Sequence, residues 1–138
     1  MAVTTAMIQQ LRRMTNEPAA DHYPDSIMAA YLERYPLLDA LGHPPYVKSS
    51  TLPVTLVVNT EWTPTYDLNA AAADIWDEKA AALEAQVDFS SDGASFSLSQ
   101  RRANAAALAR SYRSRRAASG ITLLPTPRPT DAELPEDE

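Results

Sequence analysis

The chain has 138 residues, no Cys, 3 Gly, 11 Pro and a formal net charge of −6. That length fits one domain with one modest core, and the lack of Cys excludes a disulfide frame or a thiolate metal site. No apolar run approaches the roughly 20 residues needed to cross a bilayer, and the chain does not start with a secretory apolar segment, so no membrane role is expected.

The first helix is predicted over about Ala6 to Met14, with Met7, Ile8, Leu11 and Met14 on one stripe. Arg12-Arg13 lacks the apolar stretch that a twin-arginine signal requires, and Pro18 limits the helix. Asp25 is expected to cap and open a second helix, whose Ile27, Met28, Tyr31, Leu32 and Tyr35 recur at the spacing of a buried face. Pro36 ends it, and Gly42 is the expected stop for one further turn from Leu37 to Leu41.

Residues 43–65 form an extended insert, because Pro44, Pro45, Pro53 and Pro64 exclude helix. Within it Val54 to Val58 is rich in β-branched residues and reads as a strand, paired either with another part of this chain or with a neighbouring copy.

Asp67 is a good N-cap for a third helix starting at Leu68, with Leu68, Ala72, Ile75, Trp76, Leu83 and Val87 on one side and Asp74, Asp77 and Glu84 on the other. Lys79 falls within the apolar stripe, where it either snorkels or is paired. Asp92-Gly93 signals a tight turn, and pairing outward from it sets Phe89 opposite Phe96 in a hairpin-like tip; an irregular loop with one Phe plugging the helix pair is the alternative. Ser99 is then the expected cap of a fourth helix, which packs through Ala105, Leu108, Ala109 and Tyr112. The fold class is therefore mainly α: a small four-helix bundle with an extended insert and a hairpin-like tip between the last two helices.

Charge is segregated along the chain. Residues 1–92 carry 13 acids and 5 bases, residues 93–130 carry no acid and 7 bases, and residues 131–138 carry 5 acids. Such blocks can pair between copies or with a charged partner, unless folding pairs them internally. Arg102, Arg110 and Arg113 share one side of the fourth helix, while Arg101 and Arg116 flank Tyr112 on another. Arg113, Arg115 and Arg116 also suit a helix C-terminus. A solvated or ion-paired face ranks first for these arginines, a clamp on partner carboxylates second and DNA phosphates third, because the whole chain is acidic.

From residue 119 onward a Pro-rich and then acidic arm is expected to be flexible or extended when free, with Ile121, Leu123 and Leu124 able to add an edge strand to a partner sheet. The domain layout is thus a helical domain over 1–118 and an arm over 119–138. No enzyme, cofactor or metal is expected. His22 and His43 lie in Pro-flanked loops without a second ligand at metal spacing, Gly42, Gly93 and Gly120 make no phosphate-cradling loop, and Asp77-Glu78 reads as a solvated pair.

The wording WTPTYDLNAAAADIWDEKAAAL, then DFSSDGASFSLSQ and the Arg-rich helix end ARSYRSRR, resembles the small head-tail adaptor (connector) proteins of long-tailed bacteriophages, as do LRRMTNEP and YLERYP nearer the start. The resemblance covers most of residues 7–118 and includes no catalytic signature. It implies a structural virion protein at the head-tail interface, made in the host cytoplasm, which forms a ring matching the twelve-fold symmetry of the portal. That ring would continue the DNA channel without binding the duplex specifically. Implied partners are the portal protein, a stopper or tail-completion protein, and further copies of the chain. The interface would draw on Arg102, Arg110, Arg113, Arg115, Arg116, Phe89, Phe96, Ile121, Leu123 and Leu124, with residues 119–138 reaching the portal. The Ala-rich helix faces suit subunits packed side by side. The resemblance also implies a shorter, more polar linker at 43–65, from which this chain departs. Alternatives are the stopper of the same connector and, from another class, a small DNA-binding regulator using the Arg-rich helix.

Overall fold

A computed structural model describes residues 3–87 and 94–117. It is mainly helical, with α1 (Thr5–Thr15), α2 (Asp25–Glu33), α3 (Leu68–Val87) and α4 (Ala94–Ser114), and one two-stranded sheet of β1 (Tyr46–Lys48) and β2 (Leu56–Val58).

α3 is the central element, in contact with α1, α2 and α4. Its opening run Ala70 to Ala73 is buried on every side, which is what a helix surrounded by others requires. Small side chains let α4 approach closely through Ala105 and Ala109. The buried alanines therefore serve packing within the chain, whereas Ala81, Ala82, Ala103 and Ala107 stay exposed. α3 and α4 run antiparallel, since Asn69 Nδ2 donates to Arg115 O at one end (3.2 Å) and Glu84 pairs with Arg102 toward the other (2.9 Å). The core gathers Ile8 and Leu11 of α1, Met28, Tyr31 and Leu32 of α2, and Ala71, Ala72 and Ile75 of α3, closed by Tyr23, Trp62 and Tyr66 from the connections.

The helix ends follow local chemistry. Thr4 Oγ1 accepts from Met7 N at 3.3 Å to open α1. Asn16, left-handed at φ 54°, closes it as Glu17 N–H returns to Arg12 O (3.0 Å), a left-handed close suited to Asn. Asp67 caps α3 as expected, its carboxylate accepting from Ala70 N at 3.0 Å. Asp25 does not cap α2. It is the first helical residue, after Pro24, and its carboxylate is held by Arg12 at 2.6 Å. Ser99 does not cap α4 either, because that helix starts five residues earlier, at Ala94. α3 and α4 are 20 and 21 residues long, so the earlier start lets α4 cover α3 along its length. Phe96 accordingly lies in helical backbone, not in a hairpin strand, while Phe89 and Asp92-Gly93 lie outside the described residues.

Two further expectations change, and one open alternative is decided. Ile27, placed on the buried face of α2, is 42 % exposed. Leu37 to Leu41 form no helical turn: Leu37 N–H pairs with Thr65 O at 2.9 Å, and Gly42, at φ +84°, closes a turn back to Asp39 O. The strand within Val54 to Val58 has its partner in this chain, Tyr46–Lys48, in the antiparallel register Tyr46–Val58, Val47–Val57 and Lys48–Leu56.

Candidate interaction surfaces

Two ionic anchors, one buried and one half-buried, fix the helical body. Arg12 is only 5 % exposed. Its guanidinium donates to Asp25 Oδ1 and to the carbonyls of Glu17, Ala19 and Tyr23, the last two at 2.8 Å, so one side chain organises the whole α1–α2 connection. Lys79 of α3 donates to Thr15 O at 2.5 Å and pairs with Glu17 at 2.6 Å, with Trp76 4.6 Å beneath the ammonium. Of the two readings open for Lys79 in the sequence, pairing is the one realised. A cation at the C-terminus of α1 also complements the helix dipole. Trp76 Nε1 and Tyr112 Oη both donate to Met14 O, each at 3.1 Å, so α3 and α4 together satisfy carbonyls that the end of α1 leaves open.

Tyrosines border this body, and their phenols are held protonated. Burial, reinforced by Glu78 and Glu17, pushes Tyr23 up to about 12. Burial and the hydrogen bond to Glu78 raise Tyr31, and the hydrogen bond to Asp74 (2.5 Å), followed by burial, raises Tyr35. Tyr66 is raised by burial, and its hydroxyl lies buried with no hydrogen-bond partner among the described residues. The phenols of Tyr31 and Tyr35 donate to the carboxylates of Glu78 and Asp74, which is an orienting role.

Asp39 holds the base of the β ribbon. One carboxylate oxygen accepts from Leu41 N (2.9 Å) and His43 N (2.8 Å), before the ribbon; the other accepts from Thr63 N (3.0 Å), after it, and lies 3.1 Å from His43 Nδ1. Burial raises its pKa, but the donors from Thr63, His43 and Leu41 outweigh that and hold it down to about 2. Above this staple, Trp62 donates its indole N–H to Leu37 O at 2.8 Å and meets Tyr66 edge-on.

The ribbon itself is uncovered. Tyr46, Val47, Leu52, Val54, Leu56, Val57 and Val58 are all exposed, with Leu52 at 90 % and Leu56 at 70 %. Tyr46 and Leu56 lie on one face and Val47 and Val57 on the other, so neither face of the sheet is covered by an element among the described residues. A second apolar feature is concave: a groove of about 710 Å³ between the 16–23 connection, α3 and α4, with Trp76, Leu83 and Leu108 among its walls and Glu78 and Arg101 on its rim.

The arginines of α4 fare unequally. Arg102 pairs with Glu84, and Arg113 with Asp77 and, at 3.9 Å, with Asp74, so internal pairing accounts for both. Arg115 stands over Tyr112, and Arg116 over Tyr35 at 5.0 Å. Arg110 is exposed and makes no ion pair among the described residues. Ile121, Leu123 and Leu124 lie outside the described residues, and of the side chain of Phe96 nothing is described.

The Asp39 staple and the groove are features that the sequence did not reveal; of the ribbon it showed the strand in Val54 to Val58 but not the partner Tyr46–Lys48. The clue to the staple was Asp39 two residues before Leu41 and four before His43, an acceptor within reach of turn amides. The groove draws on three segments far apart in the chain and has no local signal. Among the described residues no group of three or more acidic or His side chains is placed to hold a metal, and no helix is long and apolar enough to cross a membrane. Compared with models of protein families, with curated proteins and with solved structures, the chain matches none.

Proposed function

We propose that this protein is a structural component of a bacteriophage virion, a head-tail adaptor that forms a ring on the portal vertex and continues the DNA channel toward the tail. The observation that carries this reading is the uncovered ribbon. A two-stranded sheet is marginal on its own, and one with seven apolar side chains in water fits a chain whose final surface is supplied by other proteins. The resemblance of residues 7–118 to adaptors supplies the identity of those proteins, and a mainly helical body with a long α3–α4 pair is compatible with it. The proposed role is structural and not catalytic, with no cofactor, and residues 119–138 are the proposed portal-binding arm.

Among the arginines, Arg110 is the first choice for a carboxylate on the portal or a neighbour, because Arg102 and Arg113 already hold Glu84 and Asp77. The same internal pairing weakens the DNA-regulator alternative, since neutralised guanidinium groups offer little to phosphates.

The test is the light-scattering mass of the protein mixed with the portal protein from the same genome at moderate salt. Co-elution with one copy per portal subunit is expected. Separate elution, with salt-sensitive retardation of duplex DNA by the free protein, would replace the adaptor with the regulator.

A further inference from the structure

We infer that the apolar run Ile121 to Leu124 of the arm packs on its own chain, against the exposed leucines Leu38 and Leu41 at the base of the ribbon. The contact is intramolecular and needs no portal. Only its release rests on the adaptor reading: a portal that takes up the arm uncovers Leu38 and Leu41 for the assembled connector.

The end of α4 is tied to the root of the ribbon. Ala117 N–H donates to Asp67 Oδ2 at 2.9 Å, Asp67 N–H donates to Tyr35 O at 2.9 Å, and the Arg116 guanidinium stands 5.0 Å over the Tyr35 ring. Residues 118–138 therefore leave the helical body beside the point where the chain departs from α2 toward the ribbon. Just beyond Tyr35 stand Leu38, 60 % exposed, and Leu41, 80 % exposed. Their backbone is held, since Leu37 N–H pairs with Thr65 O and Leu41 N–H donates to the buried Asp39 at 2.9 Å. These two large side chains on fixed backbone extend the apolar surface of the ribbon toward its root.

Reach and composition select the occupant. An extended chain covers at most about 3.3 Å per residue, which keeps Leu38 within about 10 Å and Leu41 within about 20 Å of Tyr35 and lets Ile121 and Leu124 travel about 13 and 23 Å from Ala117. Ile121, Leu123 and Leu124 are the first large apolar side chains after α4, and they arrive at the distance of the two leucines. No charge lies between Arg116 and Arg128, so nothing ionic opposes their transfer from water, and Pro125 ends the run. Beyond it the arm is Pro-rich and acidic, with Leu134 its only large apolar residue. The groove lies back along α4, beyond Tyr112, whose hydroxyl holds the end of α1. A tether this short supplies an effective concentration of order 1 mM, which keeps a contact of Kd about 1 mM roughly half formed.

The test is paramagnetic broadening in the full chain. Because the sequence has no Cys, a single spin label can be attached through Thr126→Cys. The amide signals of Leu38 and Leu41 should fall to about half of those in the same labelled chain carrying Ile121→Asp/Leu124→Asp, whose arm is equally tethered but charged. Leu38→Ser/Leu41→Ser, at positions already in water, should relieve the neighbouring amides of Ala40 and Gly42 to the same extent. Equal signals with and without the aspartates, broadening centred instead on Leu83 and Leu108 in the groove, or broadening carried from a labelled chain to an unlabelled copy mixed with it would each overturn the proposal. Elution with the portal is read separately. Co-elution without the broadening fails this inference alone, and separate elution with the broadening present fails the adaptor reading alone.

Discussion

The end of α1 and the β ribbon treat the same problem in opposite ways. At the end of α1, cations, indole and phenol groups converge on carbonyls and carboxylates until little is left unsatisfied: Arg12 on three carbonyls and Asp25, Lys79 on Thr15 and Glu17, Trp76 and Tyr112 on Met14. The ribbon satisfies its backbone within itself, Ser49 N–H to Thr55 O and Asn59 N–H to Pro45 O, and leaves its side chains in water. The first region is finished in the monomer. The second is fixed at its base by Asp39 and unfinished above it, and that division separates what holds the fold from what is free to engage a partner.

The largest effect should come from breaking the finished region. Arg12→Ala orphans three carbonyls, leaves Asp25 without its cation and removes a buried stem. A loss of about 3 kcal/mol is expected, read as a lower denaturant midpoint at unchanged slope. Asp25→Asn should cost about 1 kcal/mol, because Asp25 is largely exposed and Arg12 keeps its carbonyls.

Lys79→Met keeps the length of the side chain and removes the charge. The pair with Glu17, the bond to Thr15 O and the cation over Trp76 are lost together, and Glu17 stays half-buried without a partner. About 2 kcal/mol is expected by the same measurement. A value near zero would mean that the ammonium merely snorkels and that the end of α1 is held by Trp76 and Tyr112 alone.

These two residues also mark how far sequence reasoning reached. Lys79 was conspicuous because a cation broke an apolar stripe; its partner Glu17, 62 positions away, had no periodic signal to betray it. Arg12 resembled any basic residue near a helix end, which the dipole alone explains, and only the path of the 16–24 connection buries it. The four helices were legible because apolar spacing records which face turns inward, and Asp67 was legible because capping is local. Ser99 misled because serines at 95, 97 and 99 all read as caps, and the choice of Ala94 depends on matching the length of α3, a tertiary demand. The strand in Val54 to Val58 was legible from β-branched residues, but its partner was not, because Tyr46–Lys48 is three residues behind two prolines. The groove depends on surfaces that the fold brings together, which residue order does not record.

Asp39 fixes the base of the ribbon, and pH is the means of loosening the ribbon while the helical body holds. Its folded pKa of about 2 lies below the ordinary value of 3.8 for an Asp carboxyl. Its contribution is therefore fully present above about pH 4 and is lost as pH falls through 2, because the protonated carboxyl no longer serves as an all-accepting group for Leu41, His43 and Thr63. Amide resonances of those three residues should titrate together in that window while the α3 amides hold. In Asp39→Asn the titration should vanish, and at neutral pH the protection of the Ser49 and Asn59 amides should fall with the helices unaffected. Helical amides that titrate together with the ribbon would show the two regions to be one cooperative unit.

The smallest effect on the monomer should come from the ribbon itself. Leu56 is 70 % exposed, so Leu56→Ser removes little area that folding had taken from water. The cross-strand contact with Lys48 is its main loss, and the unfolding free energy at low protein concentration should change by less than about 0.5 kcal/mol. Under the proposed function, a residue that does so little for its own chain while exposing so much apolar surface serves a contact outside it. A loss on Leu56→Ser comparable with that on Lys79→Met would place the ribbon in the core and remove the distinction between the two regions. An unchanged midpoint with diminished self-association assigns the apolar surface of the ribbon to assembly.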